Sequence, residues 1–408
     1  MSERRQVVII GAGPSGAIAS ALLRRRQHDV LVLERQRFPR FSIGESLLVH
    51  CLDFVEEAGM LEAVDAAGFQ CKDGAAFARG GRYAPIEFSE RLTPGRTTTF
   101  EVPRAKFDKL LADEAERQGV EIRYQTEIVS VDCAAAGAHL VARGADGAVS
   151  EIDADFVLDA SGFGRTLPRL FGLETPSDFP PRQALFTHVA DHITADGFDR
   201  NKILVTVHPQ HRDVWYWLIP FAEGRASLGV VARPQFLDGF SGTPEERMKR
   251  VFGEDPDLVR LLAQAEWDTP VREMRGYAAN VRSMHGPRFA LLGNAAEFLD
   301  PVFSSGVTIA MRSASMAVEV LDRQLRGSTV DWERDFARPL RRGVDCFRAY
   351  VEAWYDGRFQ DIVFFEHQPT EIRRMICSIL AGYAWDLSNP FVAEPQRRLG
   401  VLAQLCAS

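Results

Sequence analysis

QVVIIGAGPSG, residues 6–16, is a β-branched run that gives way at once to a glycine-rich turn. The apolar residues read as a buried strand, and Ala17 to Arg26, small and apolar at first, as the helix that follows. Asp29 to Leu33 reads as a second strand, closed by Glu34. This is a βαβ unit of about 30 residues with Gly11, Gly13, Pro14, Ser15 and Gly16 at its turn. Glycines at this spacing let backbone approach a pyrophosphate, whose charge then faces the positive end of the helix. Glu34, 23 residues after Gly11, stands where an acid can accept from ribose hydroxyls. The order strand, turn, helix, strand, acid predicts a dinucleotide site. The turn alone does not choose between nicotinamide and flavin.

Outward from that unit, residues 48–68 read as helical and 75–101, with alternating aromatics, as strands. Phe107 to Arg117 has helical spacing, Val120 to Val131 returns to strand, and DFVLD (155–159) is another buried strand. Residues 180–275 read mostly as β, RFALL (288–292) as one more strand, and the last 80 residues as helical. The chain is therefore expected to be α/β, a Rossmann-type domain with an inserted β-rich substrate domain and a helical C-terminal tail. The nucleotide-binding domain would take residues 1–75, 100–175 and 280–330. The β-rich domain would take 76–99 and 176–279, and the tail 331–408.

Composition narrows the function classes. Of 408 residues 46% are apolar and 25% charged, which excludes a disordered chain. A net charge of −8 argues against a nucleic-acid binder. The six cysteines are scattered without a CxxC pair, so neither zinc nor a disulfide framework is expected, and reduced thiols in a cytoplasm are the default. The apolar run in MSERRQVVII is too short for a signal peptide, and no window approaches a spanning helix. The nine histidines offer no acid–base pair, triad or metal spacing.

Three further pieces carry chemistry. Asp300-Pro301-Val302-Phe303-Ser304-Ser305-Gly306, ahead of an apolar helix, is a loop feeding a helix N-terminus. Its backbone N–H groups suit an anion or a flavin carbonyl, or else Asp300-Pro301 starts a turn and Ser304 or Ser305 caps a core helix. Lys72, between Cys71 and Asp73, would by residue type alone be a solvated lysine. Trp215 and Trp217 alternate on an expected strand, so both indoles face one side, where core packing is their commonest use.

ERQRFPRFSIGESLL (34–48), VPRAKFD (102–108), DFVLDASGFGR (155–165) and FALLGNAAEFLDPVFSSGVTIAM (289–311) together resemble the FAD-dependent monooxygenase superfamily. Within it the chain resembles the flavin-dependent halogenases, through the FPRF-x-IGESLL stretch, Lys72, the hexad Trp215-Tyr216-Trp217-Leu218-Ile219-Pro220 and the DPVFSSG loop. The resemblance covers nearly the whole chain, and the hexad is its most specific piece.

The resemblance implies a set of site residues. FAD would be held by the glycine turn and Glu34, by Arg35, Arg40, Ile43, Gly44, Glu45 and Ser46, by Arg104, by Gly293 and Asn294, and by Asp300, Pro301, Gly306 and Val307. Ser304, Ser305 and Gly306 would offer a halide site. Trp215, Trp217 and Pro220 would mark the class beside the flavin. Lys72 would be the catalytic residue, a cation in an apolar tunnel with a lowered pKa.

The implied reaction uses FADH2 from a separate flavin reductase, oxygen, and chloride or bromide. It runs through a flavin hydroperoxide and hypohalous acid to an electron-rich aromatic, either free or tethered to an acyl carrier. A homodimer is the expected assembly by base rate. Four positions depart from the pattern: Ala160-Ser161 after Asp159, where NAD(P)H-using hydroxylases have Asp-Gly; Asn294 in place of Asp; Val49 in place of Pro; and Phe303, where tryptophan-directed enzymes carry an acid. No substrate base is assigned. The alternatives are an FAD-dependent aromatic monooxygenase, a double-bond reductase, or a non-catalytic flavoprotein.

Overall fold

The computed structural model describes residues 2–194 and 198–407. The β-branched run lies in the strand Glu3–Ile10, followed by the helix Pro14–Arg25 and the strand Val30–Glu34. Proline at the first helical position costs that helix no hydrogen bond. Five parallel strands lie side by side in the order Phe289–Leu291, Val149–Asp159, Glu3–Ile10, Val30–Glu34 and Glu121–Tyr124. Ile10 is level with both Leu33 and Asp159, and Asp159 with Leu291. The carboxyl ends of four strands therefore open at one edge, where α/β sheets bind ligands. The long strand Val149–Asp159 also pairs antiparallel with Gly137–Arg143, which pairs with Glu127–Ala134.

A second, seven-stranded sheet runs in the order Arg272–Arg275, Gln183–Ala190, Arg225–Ala232, Trp215–Phe221, Lys202–Val207, Gly74–Arg79 and Arg82–Glu87. Its two faces follow the two-residue period of a strand. Trp215, Trp217 and Ile219 join the core shared with the parallel sheet. Tyr216 and Leu218 point the other way, into a smaller cluster with Met248, Val251 and Leu258. Three helices, Pro234–Asp238, Pro244–Phe252 and Pro256–Leu261, interrupt the stretch expected to be mostly β. Their signals were local. Each begins on a proline, and Thr243 with Glu246 forms a reciprocal capping box.

The helix Ser305–Leu325 packs against Pro14–Arg25, and the tail helix Arg338–Tyr355 packs against Ser305–Leu325 in turn. Phe303 meets Tyr350, Trp354 and Phe359 edge-on at 5.2–6.2 Å between centroids, and Phe77 lies against Trp354 at 5.7 Å. The tail aromatics thus pack onto the DPVFSSG loop. No helix among the described residues is long and apolar enough to cross a membrane.

Candidate active site

A cavity of about 550 Å³ opens at the carboxyl edge of the parallel sheet, within the size range of cofactor sites. It runs from the glycine turn, past Glu34 and Arg35, to Ser46, Trp215, Trp217 and Ser304. Gly11 has a φ of +98°, and a Cβ there would come within 2.7 Å of the Ala160 carbonyl oxygen. A Cβ on Gly16 would lie 1.9 Å from the Gly11 carbonyl oxygen. Only glycine fits these two places, and Gly16 acts by close turn-to-helix packing, since it does not line the cavity. Gly13 borders open space on the cavity side, where a Cβ would meet only the tip of Arg40, at 3.3 Å. The Glu34 carboxylate accepts from the backbone N–H groups of Ala12 and Gln36, each at 2.9 Å, which fixes it at the mouth of the turn.

The middle of the cavity is built around Arg104, the first residue of the helix Arg104–Arg117. Its guanidinium grips the buried Asp108 with two bonds, at 2.7 and 3.0 Å, and donates to the carbonyls of Ile43 and Gly44. Arg40 donates to the same Asp108 at 3.0 Å. Such forked, charge-assisted bonds hold the irregular segment 40–46 in one shape along the wall. That segment then pairs with the strand Thr99–Glu101: Leu47 N–H donates to Phe100, Val102 N–H to Glu45, and Ser46 bridges Glu101.

The far end holds the class-marker tryptophans and the loop. Trp215 and Trp217 both line the cavity, 5.9 Å apart, on the same face of their strand. Trp217 packs where only Gly229 leaves room, and its Nε1 donates to Ser227. Ser304 sits in the left-handed region at φ +56° immediately before the helix Ser305–Leu325. That conformation is uncommon for a residue with a Cβ. Gly306, Val307, Asn294 and Pro301 line the same end.

Six expected residues stand behind the wall. Gly16, Lys72, Pro220, Gly293, Asp300 and Ser305 do not line the cavity. Gly293 packs its backbone on Ala310, where a Cβ would fall at 2.7 Å. Asp300 is turned away. It accepts from Val302 N–H at 3.0 Å, from Tyr355 Oη at 2.8 Å and from Tyr277 Oη at 3.4 Å, and burial pushes its carboxyl up to about 6. Tyr355 in turn accepts from Trp215 Nε1 at 3.0 Å, so a tail residue ties the hexad to the loop. Asp159 likewise serves the backbone, accepting from Ser161 and Leu167 N–H.

Lys72 does not line this cavity. It is 1% exposed, and Nζ donates to Ser46 Oγ at 2.6 Å and to the Leu47 carbonyl at 2.9 Å. The Phe88 ring lies 5.4 Å from Nζ. Burial lowers the lysine's pKa, opposed by the charge of Glu101. Ser46 lines the cavity, so Lys72 sits one side chain behind its wall.

Sequence reasoning missed His188 and Glu101. His188 Nε2 donates to the buried Glu45, which lines the cavity, at 2.7 Å, across 143 positions of sequence. Pairs this distant leave no spacing signal. Glu101 adjoins the VPRAKFD motif, and its alternation with Thr99 on a short strand was the one available hint.

Comparison with known proteins agrees with this arrangement. The FAD binding domain family matches residues 4–344. A chlorinase of 1H-pyrrole-2-carbonyl-peptidyl-carrier protein from Pseudomonas fluorescens is 32% identical, over 96% of this chain and 92% of the relative. The corresponding brominase from Pseudoalteromonas luteoviolacea is 28% identical, over 95% of this chain and 94% of the relative. The crystal structure of a flavoprotein/dehydrogenase from Cytophaga hutchinsonii superposes with a TM-score of 0.96 at 42% identity, covering 99% of both chains. This chain belongs to the FAD binding domain family and, within it, to the flavin-dependent halogenases, which makes it an FAD-dependent oxidoreductase.

Proposed function

We propose that this enzyme halogenates an electron-rich aromatic carried on an acyl carrier protein, using reduced FAD, oxygen, and chloride or bromide. The carrying observation is spatial: Ser46 lines the cavity that would take FAD, and Lys72 is hydrogen-bonded to that same serine. When bound, FAD supplies the oxidising chemistry by reacting with oxygen. The chain's residues do the rest. The glycine turn and Glu34 seat the pyrophosphate and ribose. Arg104 and Arg40 hold the segment that carries Ile43, Gly44, Glu45 and Ser46 against the ring system. Backbone N–H groups from Ser304 to Gly306 bind the halide at the helix N-terminus. Lys72 receives electrophilic halogen from the cavity side of Ser46 and directs it to the aromatic.

Support for a tethered substrate comes from the two relatives that act on pyrrolyl carrier proteins. A separate flavin reductase would supply the reduced cofactor, and a homodimer and a cytoplasmic site complete the reading. We assign the seven-stranded sheet to the substrate domain. The test incubates the enzyme with FAD, a reductase, NADH, oxygen and bromide. It offers pyrrolyl and phenolic groups, free and on carrier protein, and reads product by mass. Bromination of a tethered aryl group is expected. Hydroxylation without bromide incorporation would favour the monooxygenase instead. Reduction of the bound flavin by NADH alone would favour the dehydrogenase suggested by the Cytophaga relative.

A further inference from the structure

Among the described residues Glu101 is a fully buried carboxylate beside Lys72 whose oxygens make no well-formed hydrogen bond, and the Ser46 side chain is the hydrogen-bonding group that acts on it. It is 0% exposed, on a strand whose antiparallel partner carries the lysine, with Lys72 opposite Thr99 and Gln70 opposite Glu101. A native protein rarely leaves such a group unsatisfied without a use for it. The two side chains make no ion pair within 4.0 Å. Ser46 stands with both: its hydroxyl accepts from Lys72 Nζ at 2.6 Å, its backbone bridges Glu101, and it stabilises the charged carboxylate.

We propose that Glu101 is the proton acceptor of Lys72, taking the ammonium proton through the Ser46 hydroxyl. One Nζ–H bond breaks and its electron pair stays on nitrogen. Ser46 Oγ gains that proton and releases its own, and an Oε–H bond forms on Glu101. Nothing is oxidised or reduced, and the buried pair has no net charge before or after. The result is a free amine facing the serine that lines the cavity. The inference deepens the halogenation reading, because an amine with a lone pair can meet an electrophilic halogen and an ammonium cannot. Glu101 is a positioning residue in this account, since it acts only through Lys72.

Burial favours the transfer, against the mutual attraction of the charged pair and the hydrogen bond from Ser46. Burial raises the Glu101 carboxyl to about 7 and lowers the lysine, so the two approach each other. Glu45 raises Glu101 further but is held by His188 on the opposite side. From the helix His50–Glu57, Cys51 faces Lys72; burial pushes its thiol up to about 11, so it stays neutral, and it is hydrogen-bonded to Thr308 of the helix Ser305–Leu325. No other titratable group perturbs the pair.

The test is an infrared titration of the FAD-loaded full-length enzyme, with Glu101→Gln identifying the Glu101 carboxylic-acid band by difference. The band should titrate near neutrality. Lys72→Met removes the cation and should move it upward by about one pH unit or more. Ser46→Ala keeps both charged groups and should move it upward by less. It serves as the second variant if Lys72→Met does not fold. A band that titrates in the ordinary glutamate range, or one that neither Lys72→Met nor Ser46→Ala moves, overturns the proposal. This readout needs no turnover, so a failure of the halogenation reading leaves it interpretable. The pH profile of halogen transfer adds an activity readout: Glu101→Gln should abolish its limb near neutrality, which a packing role would leave in place.

Discussion

The glycine turn lines the cavity and the Lys72–Glu101 pair lies buried behind its wall, and the two regions differ in how their polar groups are satisfied. At the turn, Glu34 already holds two backbone N–H groups, and Arg40 and Arg104 are both bound to Asp108. This region is a rigid socket whose shape precedes its ligand. In the other region a lysine and a carboxylate are buried without an ion pair between them, linked only through Ser46. Burying charge in that way costs stability, and proteins keep it where protons must move. The comparison separates residues whose polar groups are satisfied in place from residues whose polar groups are not.

The sharpest way to break the socket is Gly16→Ala. Its methyl group would overlap the Gly11 carbonyl oxygen, and backbone cannot yield as a side chain can. The expected cost exceeds about 4 kcal/mol. Thermal denaturation should show a large loss, with FAD binding lost as well. Arg104→Lys keeps the charge but loses the fork on Asp108 and the bonds to Ile43 and Gly44. A cost of about 2 kcal/mol is expected. FAD affinity measured by fluorescence quenching should fall by roughly tenfold or more.

The titrating region is sharpened by pH. The Glu101 carboxyl rises on folding from 4.5 to about 7, so the folded state holds more protons between those values and stability falls as pH rises through that window. Asp300, raised from 3.8 to about 6, acts in the same direction at lower pH. Glu101→Gln should therefore flatten the slope of denaturant-derived stability most cleanly between pH 6 and 7. The smallest effect belongs to Tyr355→Phe, which removes one bond to Asp300 and the acceptor of Trp215 Nε1. A loss of about 1 kcal/mol is expected from denaturation, with FAD binding unchanged.

The same division governs what the sequence makes legible. The socket is contiguous: strand, turn, helix and acid follow in order over residues 6–34, and each step has a local physical reason. The parallel sheet, the inserted β-rich block and the helical tail follow from periodicity. The three helices between 234 and 261 were equally local, since proline starts and a capping box mark them, and a run of β segments on either side masked them. The titrating region is different in kind. Lys72, Ser46 and Glu101 come together through a three-residue strand pairing and one isolated bridge, and His188 reaches Glu45 from another sheet. Such contacts have no period and no spacing. Lys72 is singled out by the resemblance alone, which also implies its burial and lowered pKa, whereas its hydrogen bond to Ser46 leaves no mark in CKDG. Asp300 and Ser305 also illustrate the limit: both belong to the loop motif, yet their side chains face the tail and the core, and only folding decides which residues of a motif meet the cavity.

The most direct test of the account needs no substrate. The enzyme is loaded with FAD, reduced without oxygen, and mixed with aerated buffer with and without bromide, while the flavin absorbance is followed and retained oxidant is assayed after gel filtration. The account predicts that bromide speeds the return of oxidised flavin, that wild-type protein retains an oxidant able to brominate a phenol, and that Lys72→Met keeps the first effect and loses the second. Flavin reoxidation that ignores both bromide and chloride, or an oxidant retained equally by Lys72→Met, would contradict it.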